Sequence, residues 1–168
     1  MLHFSTAQLN RLFLDGLGDS AMFIDNISSK PLLVDVDLGA FSAKLRVYLF
    51  NCTNPPGGRK SDEYKSQIIL PGQRRGERGS FIKDDSRIVL LGAVASLSKT
   101  DDTVVFVFWD AMYHENCSYS ANIQVKSEVL IGAFANDVSI GLKGNGEKII
   151  ACRPQHLIKG IKERIFTV

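Results

Sequence analysis

The sequence predicts an α+β protein built on a curled, mostly antiparallel sheet of about seven strands with two or three short helices. Residues 32–38 and 43–51 alternate between apolar and polar side chains, which is the pattern of half-buried strands. Two nearly continuous apolar runs, 87–97 and 103–109, are joined by a polar turn and predict an antiparallel pair buried on both faces. Strands and helices do not alternate regularly, so a parallel sheet of βαβ units is excluded.

The N-terminal half predicts one helix before the first strand. Ser5 or Thr6 can cap this helix, and Gly16 can end it. Farther along, residues 64–70 predict a strand that ends at Pro71. The apolar face of the helix consists of Leu9, Leu12 and Phe13.

The C-terminal half predicts a second helix, a hairpin and a last helix. Residues 124–134 favour the second helix. Residues 138–142 and 148–152 flank a Gly-Asn-Gly turn and predict a hairpin. Pro154 begins the last helix. Its apolar stripe is Leu157, Ile158, Ile161 and Ile165, and its outer face carries Lys159, Lys162 and Arg164.

The composition predicts one soluble globular domain over residues 1–168, since 45% of the chain is hydrophobic and 23% is charged. The N-terminus lacks the basic start and apolar run of a signal peptide, and no apolar run reaches the length of a membrane span. The three cysteines and three histidines do not have the spacing of a zinc site. Free thiols are typical of the reducing cytoplasm, which is the predicted location.

Positive charge is concentrated in two blocks, although the net charge is only +2. Residues 51–87 hold eight Lys or Arg against five acids, and residues 143–168 hold six against two. The segment 90–142 between them has two basic and six acidic residues, a net charge of −4. A nucleic-acid site must therefore come from uneven placement of charge, and we expect both basic blocks to share one face of the sheet and to hold a duplex from two sides.

Glycines accompany the arginines of the first basic block. They precede Arg59 and Lys60 and lie inside the cluster of Arg74, Arg75 and Arg78. Glycine lets the main chain approach a phosphate backbone, and arginine offers a planar fork of hydrogen-bond donors. The pattern suits contact with nucleic acid, although most charged runs of this kind are solvated loops without a ligand.

Amide side chains also lie near the basic loops, at Asn51, Asn54, Gln67 and Gln73. Asn and Gln can read the edge of adenine, although most amides in loops hydrogen-bond the backbone of a turn. We predict Asn54 and Gln73 as secondary contacts.

A metal-dependent nuclease is the alternative hypothesis, because Glu63, Tyr64 and Lys65 form an E-x-K triplet at the start of a predicted strand. Strand alternation puts the acid and the lysine on one face, where nucleases of the PD-(D/E)xK class bind Mg²⁺ and position the attacking water. Asp35 or Asp37 could supply the upstream carboxylate. The triplet is frequent by chance and no proline-aspartate pair precedes it, so a non-catalytic domain is favoured.

Aromatic residues follow the second apolar run. Trp109 could stack on a base, but a core position at the end of the sheet is favoured. Tyr113 and Tyr119 lie in a polar loop and are better candidates for contact. His114 beside Glu115 could be an acid–base pair, although a polar loop histidine is favoured.

Three blocks of the sequence carry a resemblance to a known group of domains. They are YLFNCTNPPGGRKSDEYKSQIILPGQ, VFVFWDAMYH together with YSANIQV, and NGEKIIACRPQHLIKGIKERI. The blocks resemble the DNA-recognition domains of bacterial restriction systems, including the LlaJI type and methylase-associated domains. Those domains are similar to the B-three-type pseudobarrel of the EcoRII effector domain and of plant transcription factors. The resemblance, over residues 48–165, implies an open, mostly antiparallel β-pseudobarrel whose basic loops grip the major groove as two arms.

The resemblance implies a DNA-binding specificity domain of a longer restriction protein, in which another domain or subunit makes the cut. No cofactor is expected, except Mg²⁺ if the nuclease alternative with Glu63, Lys65 and Asp37 holds. A third hypothesis is a protein-interaction domain whose charged loops meet an acidic partner. The predicted contacts with double-stranded DNA are Asn54, Arg59, Lys60, Gln73, Arg74, Arg75, Arg78, Tyr113, Lys159 and Lys162.

Overall fold

The computed structural model describes residues 3–54, 62–82, 84, 86–98 and 101–166, apart from the side chain of Asp101. In these residues it confirms an α+β protein with a mostly antiparallel sheet and three α-helices. The helices are α1 (Thr6–Leu17), α2 (Ser127–Gly132) and α3 (Leu157–Phe166). Eleven strands lie in the described residues: β1 (Ala21–Ile24), β2 (Leu32–Asp37), β3 (Ser42–Thr53), β4 (Glu63–Ile68), β5 (Arg78–Gly79), β6 (Ile88–Ser96), β7 (Val104–Trp109), β8 (Cys117–Ser118), β9 (Ala121–Lys126), β10 (Ser139–Leu142) and β11 (Lys148–Cys152).

Nine of these strands form one sheet, whose main path has the order β1–β2–β3–β6–β7–β11–β10. β4 pairs with the end of β3 and with β9, so the β4–β9 pair branches from this path. Among the described strands, β3 and β6 form the one parallel pair. β1 and β10 end the path without meeting, so the described residues form an open sheet and no closed barrel.

The central strands carry a core on each face. β6 and β7 are buried on both faces, as their apolar runs predicted. On one face Phe106 packs with Phe13 of α1 and Ile161 of α3. On the other face Val107 packs in a second core with Ile123 of β9. Helices α1 and α3 therefore cover one face of the central sheet, and the β4–β9 pair covers the opposite face.

The first helix begins as predicted but continues past Gly16. The N–H of Gln8 donates to the Ser5 hydroxyl at 3.2 Å, and the N–H of Ser5 donates to the Gln8 side chain at 2.8 Å, which is a capping box. The helix ends before Gly18, whose φ of 56° is open to glycine. A Cβ at Gly16 would lie 2.9 Å from Cδ2 of Leu157, so this glycine lets α1 approach α3 closely.

The predicted helix over residues 124–134 is wrong in its first part. β9 extends through residue 126, and α2 starts only at residue 127. Within β9 the burial has the period of a strand, since Ile123 and Val125 are buried and the polar residues beside them are exposed. The apolar residues that α2 buries lie directly after β9. Their helical spacing made residues 124–126 look like the start of the same helix.

The remaining predicted elements of the C-terminal half are confirmed. β6 and β7 form the antiparallel pair. β10 and β11 form the hairpin, with Ser139 opposite Ala151 and Leu142 opposite Lys148. A short 3-10 turn, Pro154–His156, leads into the last helix.

Two arginines have structural roles beside the sheet. Arg46 is 7% exposed and donates to Oδ2 of Asp84 at 3.1 Å. Hydrogen bonds from Ser86 and Arg46 lower the pKa of Asp84 to about 2. Nη1 of Arg87 lies 2.9 Å from Oδ1 of Asp35. Arg87 belongs to the first basic block by sequence, but its charge is paired with Asp35 within the protein.

All three cysteines are free and buried. Burial raises the pKa of the Cys152 thiol to about 12 and also raises the pKa of the Cys52 and Cys117 thiols, so none is a reactive thiolate at neutral pH. No helix in the described part of the chain is long and apolar enough to cross a membrane.

Candidate nucleic-acid interface

The arginine loop, which we define as residues 73–78, follows the strand β4. It leads into β5, which pairs with β8 through Arg78 and Ser118. β8 runs almost directly into β9, whose first residue, Ala121, pairs with Ile68 at the end of β4. The segment with β4 and β5 therefore pairs twice with the segment with β8 and β9. The arginine loop joins β4 to β5, so it lies at one end of the β4–β9 pair.

Gln73 fixes the shape of the arginine loop. Its Oε1 accepts a hydrogen bond from the N–H of Leu70 at 3.0 Å, and its Nε2 donates to the carbonyl oxygens of Glu77 at 3.2 Å and Cys117 at 3.1 Å. A Cβ at Gly79 would lie 2.8 Å from Cδ of Gln73, so glycine is needed for this close approach. Gln73 is among the predicted DNA contacts, whereas the structure shows its amide hydrogen-bonded within the protein.

Arg74 and Arg75 are the exposed cations of this loop. Neither side chain forms a hydrogen bond or ion pair with any residue in the described ranges. Gly76 follows them with a φ of 88°, a conformation that favours glycine and closes the turn. Arg78 is also exposed, and its Nη1 donates to the carbonyl oxygen of Asn116 at 3.2 Å. Free guanidinium groups on a fixed turn can bind phosphate or the edge of guanine.

We expect Gln73→Leu to loosen the arginine loop. The change removes three hydrogen bonds and leaves the N–H of Leu70 without its acceptor, which costs about 1–3 kcal/mol. Limited digestion with trypsin should then cleave after Arg74 and Arg75 faster than in the wild type. Gln155→Leu, at an exposed amide, is the matched control. Equal cleavage of Gln73→Leu and the wild type would show that this amide does not hold the loop.

The remaining candidates near the first basic block differ in their surroundings. The amide of Asn51 exchanges hydrogen bonds with the backbone of Phe4, at 2.8 Å in each direction, and is therefore structural. Asn54 is half-buried directly after β3 and takes part in an interaction there. Arg59 and Lys60 lie outside the described residues.

Trp109 is a core residue, as the favoured interpretation predicted. It is 1% exposed, and its Nε1 donates to the backbone carbonyl of Gln124 in β9 at 3.0 Å. This hydrogen bond ties the β4–β9 pair to the central sheet. Tyr113 lies in the 3-10 turn Ala111–His114 and is 47% exposed, so it remains accessible to a ligand.

His114 pairs with a carboxylate that sequence analysis missed. Its Nε2 lies 2.7 Å from Oε2 of Glu147, which is fully buried and also accepts a hydrogen bond from the N–H of Asp110 at 3.1 Å. Nζ of Lys143 lies 3.7 Å from the other carboxylate oxygen. The cluster joins the β10–β11 hairpin to the turn after β7. The partners are 33 residues apart in sequence, so no local motif pointed to them.

The lysines of α3 lie on a different face from the arginine loop. Lys159 pairs with Asp137, and Nζ of Lys162 lies close to Gly39 in the turn between β2 and β3. α3 packs on the same face as α1, whereas Leu70, just before the arginine loop, packs in the core of the opposite face. The lysines of α3 therefore do not share a face with the arginine loop, which corrects the predicted two-sided hold at these residues, whereas Lys143 of the second block lies in a groove beside β9.

The structure does not bring the acids of β2 to the E-x-K triplet. Asp35 pairs with Lys44 near the start of β3, and Asp37 lies still farther from the end of that strand. Lys65 of the triplet pairs with Thr53 at the end of β3. Nine strand residues at about 3.3 Å each give a separation of about 30 Å. Within the described ranges, no group of three or more His, Cys, Asp or Glu side chains could hold a metal ion.

A groove beside β4 adds positive charge to this side of the molecule. It lies between the outward face of β4 and the N-terminus of α1, and Lys30, Lys65 and Gln67 contribute to its lining. Nζ of Lys30 lies 4.2 Å from the centre of the Phe50 ring. Burial lowers the pKa of Lys30.

Comparison with known protein families identifies the domain. Residues 43–161, about seven-tenths of the chain, match the family described as methylase-associated X1, MTaX1. The chain belongs to the methylase-associated X1 family. The matched range runs from β3 into α3 and includes the arginine loop and the β4–β9 pair. Comparison with curated proteins and with solved structures gives no match. Membership in this family supports the restriction-system context that the sequence resemblance predicted.

Proposed function

We propose that this methylase-associated domain binds duplex DNA as the specificity module of a restriction system, and that another domain or subunit makes the cut. The observation that carries the proposal is the arginine loop. Arg74 and Arg75 are exposed on a turn that Gln73 holds from within, and no described side chain neutralises them. Two preorganised guanidinium groups can neutralise adjacent phosphates without ordering the loop at the moment of binding.

The fold supports this proposal in two further ways. The sheet is open and mostly antiparallel, and the β4–β9 pair branches from its main path, which is compatible with a pseudobarrel of the B-three type. Helices α1 and α3 cover one face, and the loops after β4 and β7 adjoin the core of the other face, which α2 also covers in part. We propose the cytoplasm as the location, because the DNA target lies there.

The experiment is a binding assay with random-sequence duplex DNA at two salt concentrations, with and without Mg²⁺. We expect binding that weakens with salt and leaves the duplex intact in Mg²⁺. Cleavage by the wild type that Glu63→Ala abolishes would replace the proposal with the nuclease alternative. Absence of binding at the lower salt concentration would contradict DNA recognition and favour a protein-interaction domain.

A further inference from the structure

We propose that the outward face of the β4–β9 pair reads base edges in the major groove. This inference rests on the proposed function and goes beyond it, because it assigns sequence discrimination to a surface apart from the arginine loop. We call this surface the ribbon face. It consists of Glu63, Lys65 and Gln67 on β4 and Asn122, Gln124 and Lys126 on β9.

The register of the two strands places these side chains on one surface. Gln67 lies opposite Asn122, Lys65 lies opposite Gln124, and Glu63 lies opposite Lys126. Opposed residues of an antiparallel pair share a face, and residues two apart on a strand share it too. The alternate residues point inward, where Ile68, Ile123 and Val125 are buried in the core. One face of the ribbon is therefore mostly apolar and covered, and the other is polar throughout.

The amides of the ribbon face have no structural task in the described protein. Gln67, Asn122 and Gln124 are exposed, and none of their side-chain amides has a hydrogen-bond partner among the described residues. Asn10, by contrast, donates to two backbone carbonyls at 2.6 and 2.8 Å. Gln73 likewise makes three hydrogen bonds within the arginine loop. Three free amides on one small surface are thus available to a ligand.

Amides at this spacing match the chemistry of the major groove. Asn and Gln can form paired hydrogen bonds with N6 and N7 of adenine, and the groove, about 12 Å wide, admits a two-stranded ribbon. Side chains two residues apart on a strand are separated by about 6.6 Å, close to two base-pair steps of about 3.4 Å. The ribbon face can therefore meet alternate base pairs along the groove.

The composition of the ribbon face favours DNA over a protein partner. Its six positions contain no apolar side chain, whereas the centre of a protein–protein interface is apolar and depleted of charge. Lys65 and Lys126 add positive charge beside the amides, although Lys126 also lies 3.6 Å from Asp62 in an exposed ion pair. The arginine loop continues from one end of the ribbon and can hold the phosphates next to the bases being read.

Two hydrogen bonds tie the inward side of the ribbon to the central sheet. Nε1 of Trp109 donates to the backbone carbonyl of Gln124, and the Ser66 hydroxyl donates to the carbonyl of Asn51 at 2.9 Å. These hydrogen bonds join β9 to β7 and β4 to β3. A surface built on strands and fixed from behind positions its side chains more accurately than a loop does.

The test is a selection from a library of duplexes with a randomised centre, prepared in unmethylated and methylated forms. The wild type is compared with the triple variant Gln67→Ala, Asn122→Ala, Gln124→Ala, and Gln155→Ala is the control at an exposed amide elsewhere. We expect the wild type and the control to enrich a common sequence. The triple variant should lose about tenfold or more of its preference for that sequence and keep the same salt dependence. Thermal unfolding checks that the exposed substitutions leave the fold intact.

The outcomes separate this inference from the proposed function. If the triple variant enriches the same sequence as the wild type, the ribbon face does not read bases, and DNA binding stands. If the wild type binds every sequence equally in both libraries, base reading is also overturned while DNA binding stands. If the wild type retains no duplex from either library, the proposed function fails and the inference fails with it.

Discussion

Replacing Arg74 and Arg75 together by alanine should weaken binding to duplex DNA about ten- to hundredfold at about 0.1 M salt. The logarithm of the affinity falls with the logarithm of the salt concentration by about 0.9 for each neutralised phosphate. Between about 1 M and 0.1 M salt, each phosphate contact therefore raises the affinity nearly tenfold. Without the two arginines, the slope of log affinity against log salt should become shallower by about one to two units. Binding titrations over a range of salt concentrations measure both quantities.

The control for this prediction is the double variant Lys159→Ala, Lys162→Ala. It removes the same formal charge from α3, which lies on the opposite face of the central sheet. We expect its affinity and salt slope to stay close to those of the wild type. A large loss of affinity in the α3 variant, with none in the arginine-loop variant, would place the DNA on the α3 side of the sheet and contradict the prediction.

Trp109→Ala should destabilise the protein by about 3–5 kcal/mol, because it leaves a large cavity in the core beneath the β4–β9 pair. A domain of this size has about 5–15 kcal/mol of stability, so much of it should be lost. Urea denaturation followed by circular dichroism measures the change.

Trp109→Phe separates the cavity from the hydrogen bond. It keeps most of the apolar volume but leaves the backbone carbonyl of Gln124 without the indole donor, which costs about 1–3 kcal/mol. We expect this variant to fold and to show faster amide exchange in β9 than the wild type. An amide exchange rate in β9 of Trp109→Phe equal to that of the wild type would contradict the role of Trp109 in holding the β4–β9 pair.

The regular parts of the fold were predictable because each depends on a local pattern. β6 pairs with β7 and β10 pairs with β11, so each of these strands has its partner nearby in sequence. Apolar runs predicted the first pair, and a Gly-Asn-Gly turn predicted the second. β5 and β8 have two residues each, which is too short for any period to show. The parallel β3–β6 pair and the β4–β9 pair join strands that are distant in sequence, so no local pattern identifies them.

The candidate site followed the same division. The exposed arginines on a glycine-rich loop were predictable from composition, but the amide of Gln73 that fixes them depends on Cys117, 44 residues away. Arg87 carries the same formal charge as Arg75, and only the fold shows that Asp35 already pairs with it. The ribbon face was concealed because residues 124–126 of its second strand fell within the predicted helix 124–134, so Gln124 and Lys126 were not expected to share a strand face with β4.

Hydrogen exchange of the wild-type domain, with and without duplex DNA, shows which surface of the protein the duplex covers. We expect DNA to slow exchange in residues 69–78 and 121–126 and to leave α3 unchanged. Protection confined to α3, with none in the arginine loop or β9, would contradict DNA binding at this surface.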